Sequence, residues 1–148
     1  MDPIHHRSRN QEGFTLIELL VVMIIIGLLA ALVVPKMFGK VGKAQRQAAQ
    51  AQIELFGTAL DAYRLDVGSY PTTEQGLRVL LEKPQGITGW DGPYLSKEIP
   101  LDPWQKPYLY RSPGDQGRPY ELMSYGADGA PGGEGDGKDV VSWKGLDQ

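Results

Sequence analysis

Cysteine is absent from the 148 residues. The chain therefore carries no disulfide staple and no thiol nucleophile. Histidine is nearly absent too: His5 and His6 are the only two, both close to Met1. Loss of the first residues would leave no histidine at all. That removes the Ser-His and Cys-His catalytic arrangements and the commonest transition-metal ligand. No carboxylate pairing takes their place, so the sequence reads as non-enzymatic. An excess of positive charge is also missing. The formal net charge is −3, which gives no footprint for a nucleic-acid partner. The balance shifts along the chain, from five Lys/Arg against three Asp/Glu over 36–66 to eight against twelve over 67–148. Nineteen glycines and eleven prolines are many, yet the composition is that of one modest folded domain plus an additional element.

What the chain has in abundance is apolar sequence near its start. Residues 14–34 form a run of 21 with Glu18 as the one charge. In a helix this run is ~31 Å long, about one bilayer core. A secretory signal fits poorly. The run is too long, it contains a carboxylate, and Leu32-Val33-Val34-Pro35 follows Ala30-Ala31 where a cleavage site would need small residues. A transmembrane helix is the better reading. Glu18 then has two explanations. Thr15-Leu16-Ile17-Glu18 matches the S/T-x-x-E capping box. Alternatively, a cut after Gly13 would give Phe14 a free ammonium one turn from Glu18. Pairing of that carboxylate with the new N-terminus of a neighbouring chain would offset part of the roughly 2.5–3.5 kcal/mol cost of a charge in hydrocarbon. The two explanations are compatible. Flanking charge consists of Arg7 and Arg9 before the run and Lys36, Lys40, Lys43 and Arg46 after it. A tally of Lys and Arg alone places the N-terminus outside.

Pro35, Gly39 and Gly42 weaken helix after the run, and Lys43–Asp66 reads as a good helix. Val41, Ala44, Ala48, Ala51, Leu55, Ala59 and Ala62 recur at helical spacing, widened by Leu60 and Tyr63, and predict one apolar stripe. Over 53–66 that stripe should cover the chain's own head. Over 36–52 its expected partners are the same segments of other copies, with Pro35–Gly42 locally melted once copies assemble. Gly68 and Pro71 end the helix. Thr72-Thr73-Glu74-Gln75 is a second capping box, opening a short helix with Leu77, Leu80 and Leu81 on one face, closed by Pro84 and Gly86. Strands are expected at 107–111, 119–125 and 140–143, the first two joined by a turn at Ser112-Pro113-Gly114-Asp115. Trp104, Tyr108, Tyr110, Tyr120, Tyr125 and Trp143 read as core and sheet packing. The architecture is α+β: a long N-terminal hydrophobic helix packed on a small antiparallel β-sheet head.

Between the last two strands, residues 126–139 (GADGAPGGEGDGKD) hold four carboxylates among six glycines. The oxygen donors suit Ca²⁺ rather than zinc or copper. The spacing is not that of an EF-hand, and taken alone a solvated acidic turn explains it. Against that stands the difficulty of ordering so long an irregular loop in a small head with no disulfide.

Gly13-Phe14-Thr15-Leu16-Ile17-Glu18-Leu19-Leu20-Val21-Val22 resembles the prepilin signal of the type IV pilin and pseudopilin superfamily. Three later strings, G-S-Y-P-T-T-E-Q-G-L at 68–77, D-P-W-Q-K-P-Y at 102–108 and Y-G-A-D-G at 125–129, resemble the major pseudopilin family of type II secretion. The resemblance implies a cytoplasmic leader, 1–13, cut between Gly13 and Phe14 by a prepilin peptidase, with N-methylation of Phe14. It implies a transmembrane and spine helix over 14–66, a periplasmic head over 67–148, and a role for Glu18 in registering subunits. It sets the leader in the cytoplasm, against the charge tally, and the chain in the bacterial inner membrane as a single-pass protein. It implies a homo-oligomeric helical filament that drives export of folded proteins across the outer membrane, with minor pseudopilins, an inner-membrane assembly platform and membrane lipid as further partners. It also implies one Ca²⁺ held by the side chains of Asp128, Asp136 and Asp139 and by backbone carbonyls near Tyr125 and Val140. The alternative is a type IV pilus or DNA-uptake pilin. Such pilins usually end in a cysteine-closed loop, which this chain lacks.

Overall fold

The computed structural model describes residues 13–145, leaving aside the side chains of 33–38. The rest of the expected leader, with Arg7 and Arg9, lies outside the described residues. One helix, α1, runs Leu16–Val67. Its start is capped as the sequence suggested: the Thr15 hydroxyl accepts the Glu18 N–H at 3.3 Å. At its end Gly68 takes a positive φ of 95°, and its N–H reaches the Arg64 carbonyl at 2.8 Å. α1 is helical through Pro35, in keeping with one helix over 14–66 even though proline weakens helix there. The chain divides into two compact units, Met1–Phe38 and Gly39–Gln148, with the boundary inside the expected weak stretch. Melting of that stretch was an expectation about the assembled filament, and the single chain does not test it.

In the first unit every large apolar side chain from Phe14 to Leu32 is exposed, from 47% at Val21 to 89% at Leu16. Among the described residues no helix is long and apolar enough to cross a membrane. The apolar stretch with described side chains ends at Leu32.

The second unit has its own core. Ala49, Ile53, Phe56, Ala59, Leu60 and Tyr63 of α1 are buried. This corrects the predicted stripe in part. Ala59, Leu60 and Tyr63 are buried as expected, but Leu55 is exposed and Ala62 only half-buried, while Ile53 and Phe56, outside the predicted stripe, are buried. Val41, Ala44, Ala48 and Ala51, expected to face other copies, are exposed in the single chain. The alanine stripe offers little area, whereas the neighbouring face carries Ile, Phe, Leu and Tyr, whose burial stabilises far more. The head therefore takes the bulky face. It also begins earlier than residue 53: Ala49 is fully buried, and the Gln45 amide donates to the Pro103 carbonyl at 3.4 Å.

The second capping box is reciprocal. Thr72 N–H donates to the Gln75 side-chain oxygen at 2.8 Å, and Gln75 N–H to the Thr72 hydroxyl at 3.3 Å. The element that follows is a short 3₁₀ helix, Gly76–Leu80. Residues three apart eclipse in that geometry, so Leu77 and Leu80 are buried together, with Val79 beside them. Trp90 locks the next loop by donating its indole N–H to the Val79 carbonyl at 2.8 Å.

Three antiparallel strands follow, in the order β1-β2-β3: β1 Leu109–Arg111, β2 Glu121–Ser124 and β3 Val140–Val141. All three are shorter than predicted; β1 and β2 start later because Pro107 and Pro119 have no N–H to enter a ladder. Ser142 still bonds beyond β3, donating its N–H to the Leu122 carbonyl at 2.9 Å. Leu109 pairs with Met123, and Ser124 with Val140. The sheet lays Leu122 and Val140 on the α1 core, where Phe56 meets Tyr108 edge-on at 5.3 Å. Of the six aromatics read as packing, Tyr108 is buried and Trp104, Tyr110 and Tyr120 flank the core. Trp143 instead stacks under the Arg118 guanidinium at 4.3 Å, and Tyr125 is half-buried.

Candidate functional site: the acidic loop and the N-terminal segment

Pairing of Ser124 with Val140 sets the two ends of the 126–139 loop side by side, with Tyr125 leaving β2 and Val140 opening β3. The connection between them is held by its own backbone. Ala127 N–H reaches the Asp136 carbonyl at 3.0 Å, Gly137 N–H reaches Glu134 at 3.0 Å, and Asp139 N–H reaches Gly132 at 3.2 Å. Gly133 is needed for two reasons. Its φ is +79°, and a side chain there would fall 2.7 Å from Asp128 Oδ2, as would one at Gly137. These glycines therefore form a close wall around the Asp128 carboxylate.

Asp128 Oδ1 accepts the Ala130 N–H at 3.1 Å, and Asp139 Oδ2 accepts the Gly132 N–H at 2.9 Å. The other oxygen of Asp139, Oδ1, is buried with no hydrogen-bond partner. A buried carboxylate oxygen without a partner is costly and calls for a cation or donor. Asp128 and Asp139 thus border one glycine-walled turn, with a donor set entirely of oxygen. This fits a hard cation such as Ca²⁺. Asp136 is placed differently, because its carboxylate packs against the Cα of Gly42 in α1. Among the described residues no group of three carboxylate or imidazole ligands converges. Beside the loop lies a cleft of about 280 Å³ lined by Arg46, Gln50, Gly132, Asp139 and Trp143 among others.

The support beneath the loop was not read from the sequence. Asp102 and Ser124 are both buried. Their side chains meet at 2.5 Å, and the Ser124 hydroxyl also accepts the Gly126 N–H at 3.3 Å. Asp102 Oδ1 accepts the N–H groups of Trp104 and Lys106 at 3.0 and 2.8 Å. The local signal was present, since Asp-Pro-Trp is an Asx-turn composition. Nothing in the sequence joined it to a serine 22 residues away.

At the N-terminal segment, Gly13 is open on all sides and Phe14 is 85% exposed. Glu18 is exposed and makes no ion pair among the described residues. The cap through its N–H leaves its carboxylate available.

The chain is similar to known proteins. The profile of the family described as "Type II secretion system (T2SS), protein G" matches residues 36–143, and that of the prokaryotic N-terminal methylation motif matches residues 8–34. The chain is similar to the type II secretion system core protein G of Pseudomonas aeruginosa, at 44% identity over 93% of this chain and 98% of that one. It is 45% identical to the core protein G of Vibrio cholerae over 93% and 94% of the two chains. The crystal structure of the major pseudopilin from the type 2 secretion system of enterohaemorrhagic Escherichia coli aligns with a TM-score of 0.60 at 38% identity, covering 75% of this chain and 96% of that one.

Proposed function

From the premise that this chain belongs to the type II secretion system protein G family, as a major pseudopilin, we propose how the subunit is anchored, assembled and held in shape. A pseudopilin is a structural subunit, and we assign this one no active site of its own. The leader, 1–13, is cut between Gly13 and Phe14 by a prepilin peptidase, and Phe14 is N-methylated. The match of the methylation motif to residues 8–34 supports this. The segment from Phe14 lies in the inner membrane with the head, 67–148, in the periplasm.

The observation that carries the assembly reading is the exposure of every large apolar side chain from Phe14 to Leu32. Such a surface is stable only against lipid or against like segments of other copies. Lipid covers it before assembly. In the homo-oligomeric filament the neighbouring spans replace lipid, and the Glu18 carboxylate sets register by pairing with the Phe14 ammonium of a neighbour. The assembly platform and minor pseudopilins are partners of this filament, which pushes folded proteins through the outer membrane.

The acidic loop holds one Ca²⁺. Asp128 and Asp139 supply side chains, the carbonyls of Tyr125 and Val140 supply backbone oxygens, and Asp136 would have to turn from Gly42 to join them. The unpartnered buried oxygen of Asp139 supports this reading. Bound metal supplies folding stability directly, replacing the disulfide that the chain lacks.

Intact-mass measurement on the protein isolated from inner membranes tests the anchoring and processing. The expected chain starts at methylated Phe14. A mass beginning at Met1 would contradict the processing and, with it, the pairing of Glu18.

A further inference from the structure

Lys106 is the C-terminal residue of a turn closed on itself. Asp102 N–H bonds to the Lys106 carbonyl at 2.7 Å, and Asp102 Oδ1 accepts the Lys106 N–H at 2.8 Å. Its side chain leaves this turn and crosses to the acidic loop. The ammonium donates to the carbonyls of Gly126 and Ala127 at 3.1 and 2.9 Å. On the way the stem runs along Gly129, where a Cβ would lie 3.0 Å from its Cε. The circuit closes through Ser124, whose hydroxyl bonds both Asp102 and the Gly126 N–H. Two loops 20 residues apart in sequence are thereby locked by a buried carboxylate, a buried hydroxyl and one ammonium. The two carbonyls held by that ammonium belong to the residues directly before Asp128.

We propose that Lys106 is a positioning residue for the cation site of the acidic loop: by clamping the carbonyls of Gly126 and Ala127 it fixes the backbone from which the Asp128 carboxylate projects. This rests on the reading that the loop binds Ca²⁺. A carboxylate on a glycine-rich loop without such a clamp would have to be ordered by the metal itself, and affinity falls by the cost of that ordering. Groups that orient a metal ligand typically account for 10–100-fold in affinity. The charge of Lys106 alone would act in the opposite sense, since an ammonium close to the site repels a divalent cation. The two effects predict opposite signs, which makes the role measurable.

The full chain in detergent micelles, stripped of metal with chelator, is titrated with Ca²⁺ by calorimetry as wild type, Lys106→Met and Lys106→Arg. The clamp predicts binding about tenfold weaker in Lys106→Met and largely recovered in Lys106→Arg, which keeps the charge and the donors. Unchanged or tighter binding in Lys106→Met overturns the proposal. A wild type that takes up no Ca²⁺ removes the calcium reading and this role together, so the two failures are distinguishable. Amide exchange in chelator serves as a check on folding. Lys106→Met should speed exchange at 127–130 and leave Leu122 and Phe56 protected. Equal exchange at 127–130 in wild type and variant would count against the clamp.

Discussion

The two units treat the same kinds of side chain in opposite ways. In the helical segment from Leu16 to Leu32, leucines and isoleucines stand open, Leu28 at 69% and Ile24 at 55%. In the second unit, Leu60, Leu80 and Leu122 have no exposed surface. The head satisfies its own hydrophobic sequence by folding helix against sheet. The segment cannot, because a lone helix has nothing to cover it, and at about 25 cal/mol per Å² of apolar surface removed from water the drive to find a partner is large. One half of the protein is therefore built to fold and the other to associate. Substitutions in the two should separate stability from assembly.

The largest effect on that division is expected from Phe56→Ala. Phe56 is fully buried and edges onto Tyr108. Its loss should destabilise the head by about 3–5 kcal/mol in urea unfolding. Leu20→Ala, in the open segment, should leave the same unfolding curve in place and reduce only self-association. If Leu20→Ala shifted the curve as far as Phe56→Ala, the two units would not be independent.

A smaller loss, about 1–3 kcal/mol in all, is expected from Asp102→Ala, because the two N–H groups it holds are only half-buried and open to water. That change orphans the N–H groups of Trp104 and Lys106 and the Ser124 hydroxyl. Guanidinium titration of the variant would measure it, and a change within error would mean that water fills the place of the carboxylate.

Alkaline pH should also separate the units, because the tyrosines involved lie in the head. Burial pushes the Tyr108 and Tyr110 hydroxyls up to about 12 from 10.0. The unfolded chain gives up these protons near pH 10, and the folded head holds them until about pH 12. Their contribution to stability is thus fully present below pH 10 and is lost as pH rises from 10 to about 12. Thermal melts across this window should show the midpoint falling, with tyrosinate absorbance lagging behind that of free tyrosine until the head opens.

Much of the head was legible in the sequence, and the failures have physical causes. Thr72 and Gln75 were recognisable as a capping pair because the interaction is local and fixed in spacing. The strands are legible too, although β1 and β2 start later than their aromatic residues suggest, since Pro107 and Pro119 have no N–H for a ladder. On α1 the spacing marks Ala59, Leu60 and Tyr63 but not Ile53 or Phe56, because periodicity without volume cannot choose between adjacent faces. In the loop, Asp128 and Asp139 border one turn. The turning of Asp136 toward Gly42 depends on how α1 packs, which no local pattern carries. The same holds for the link from Asp102 to Ser124, a contact between distant segments.

The proposed metal staple of the head would reinforce a loop that its backbone hydrogen bonds already order in a chain without cysteine. The decisive measurement is the thermal midpoint of the full chain in detergent, in chelator and then in excess Ca²⁺, for wild type and Asp139→Asn. The account predicts a rise of several degrees with Ca²⁺ in the wild type, about what 1–2 kcal/mol of added stability produces in a domain of this size, and its loss in the variant. An identical midpoint with and without Ca²⁺ would contradict it, leaving the loop a solvated turn and the Asp139 oxygen without a partner.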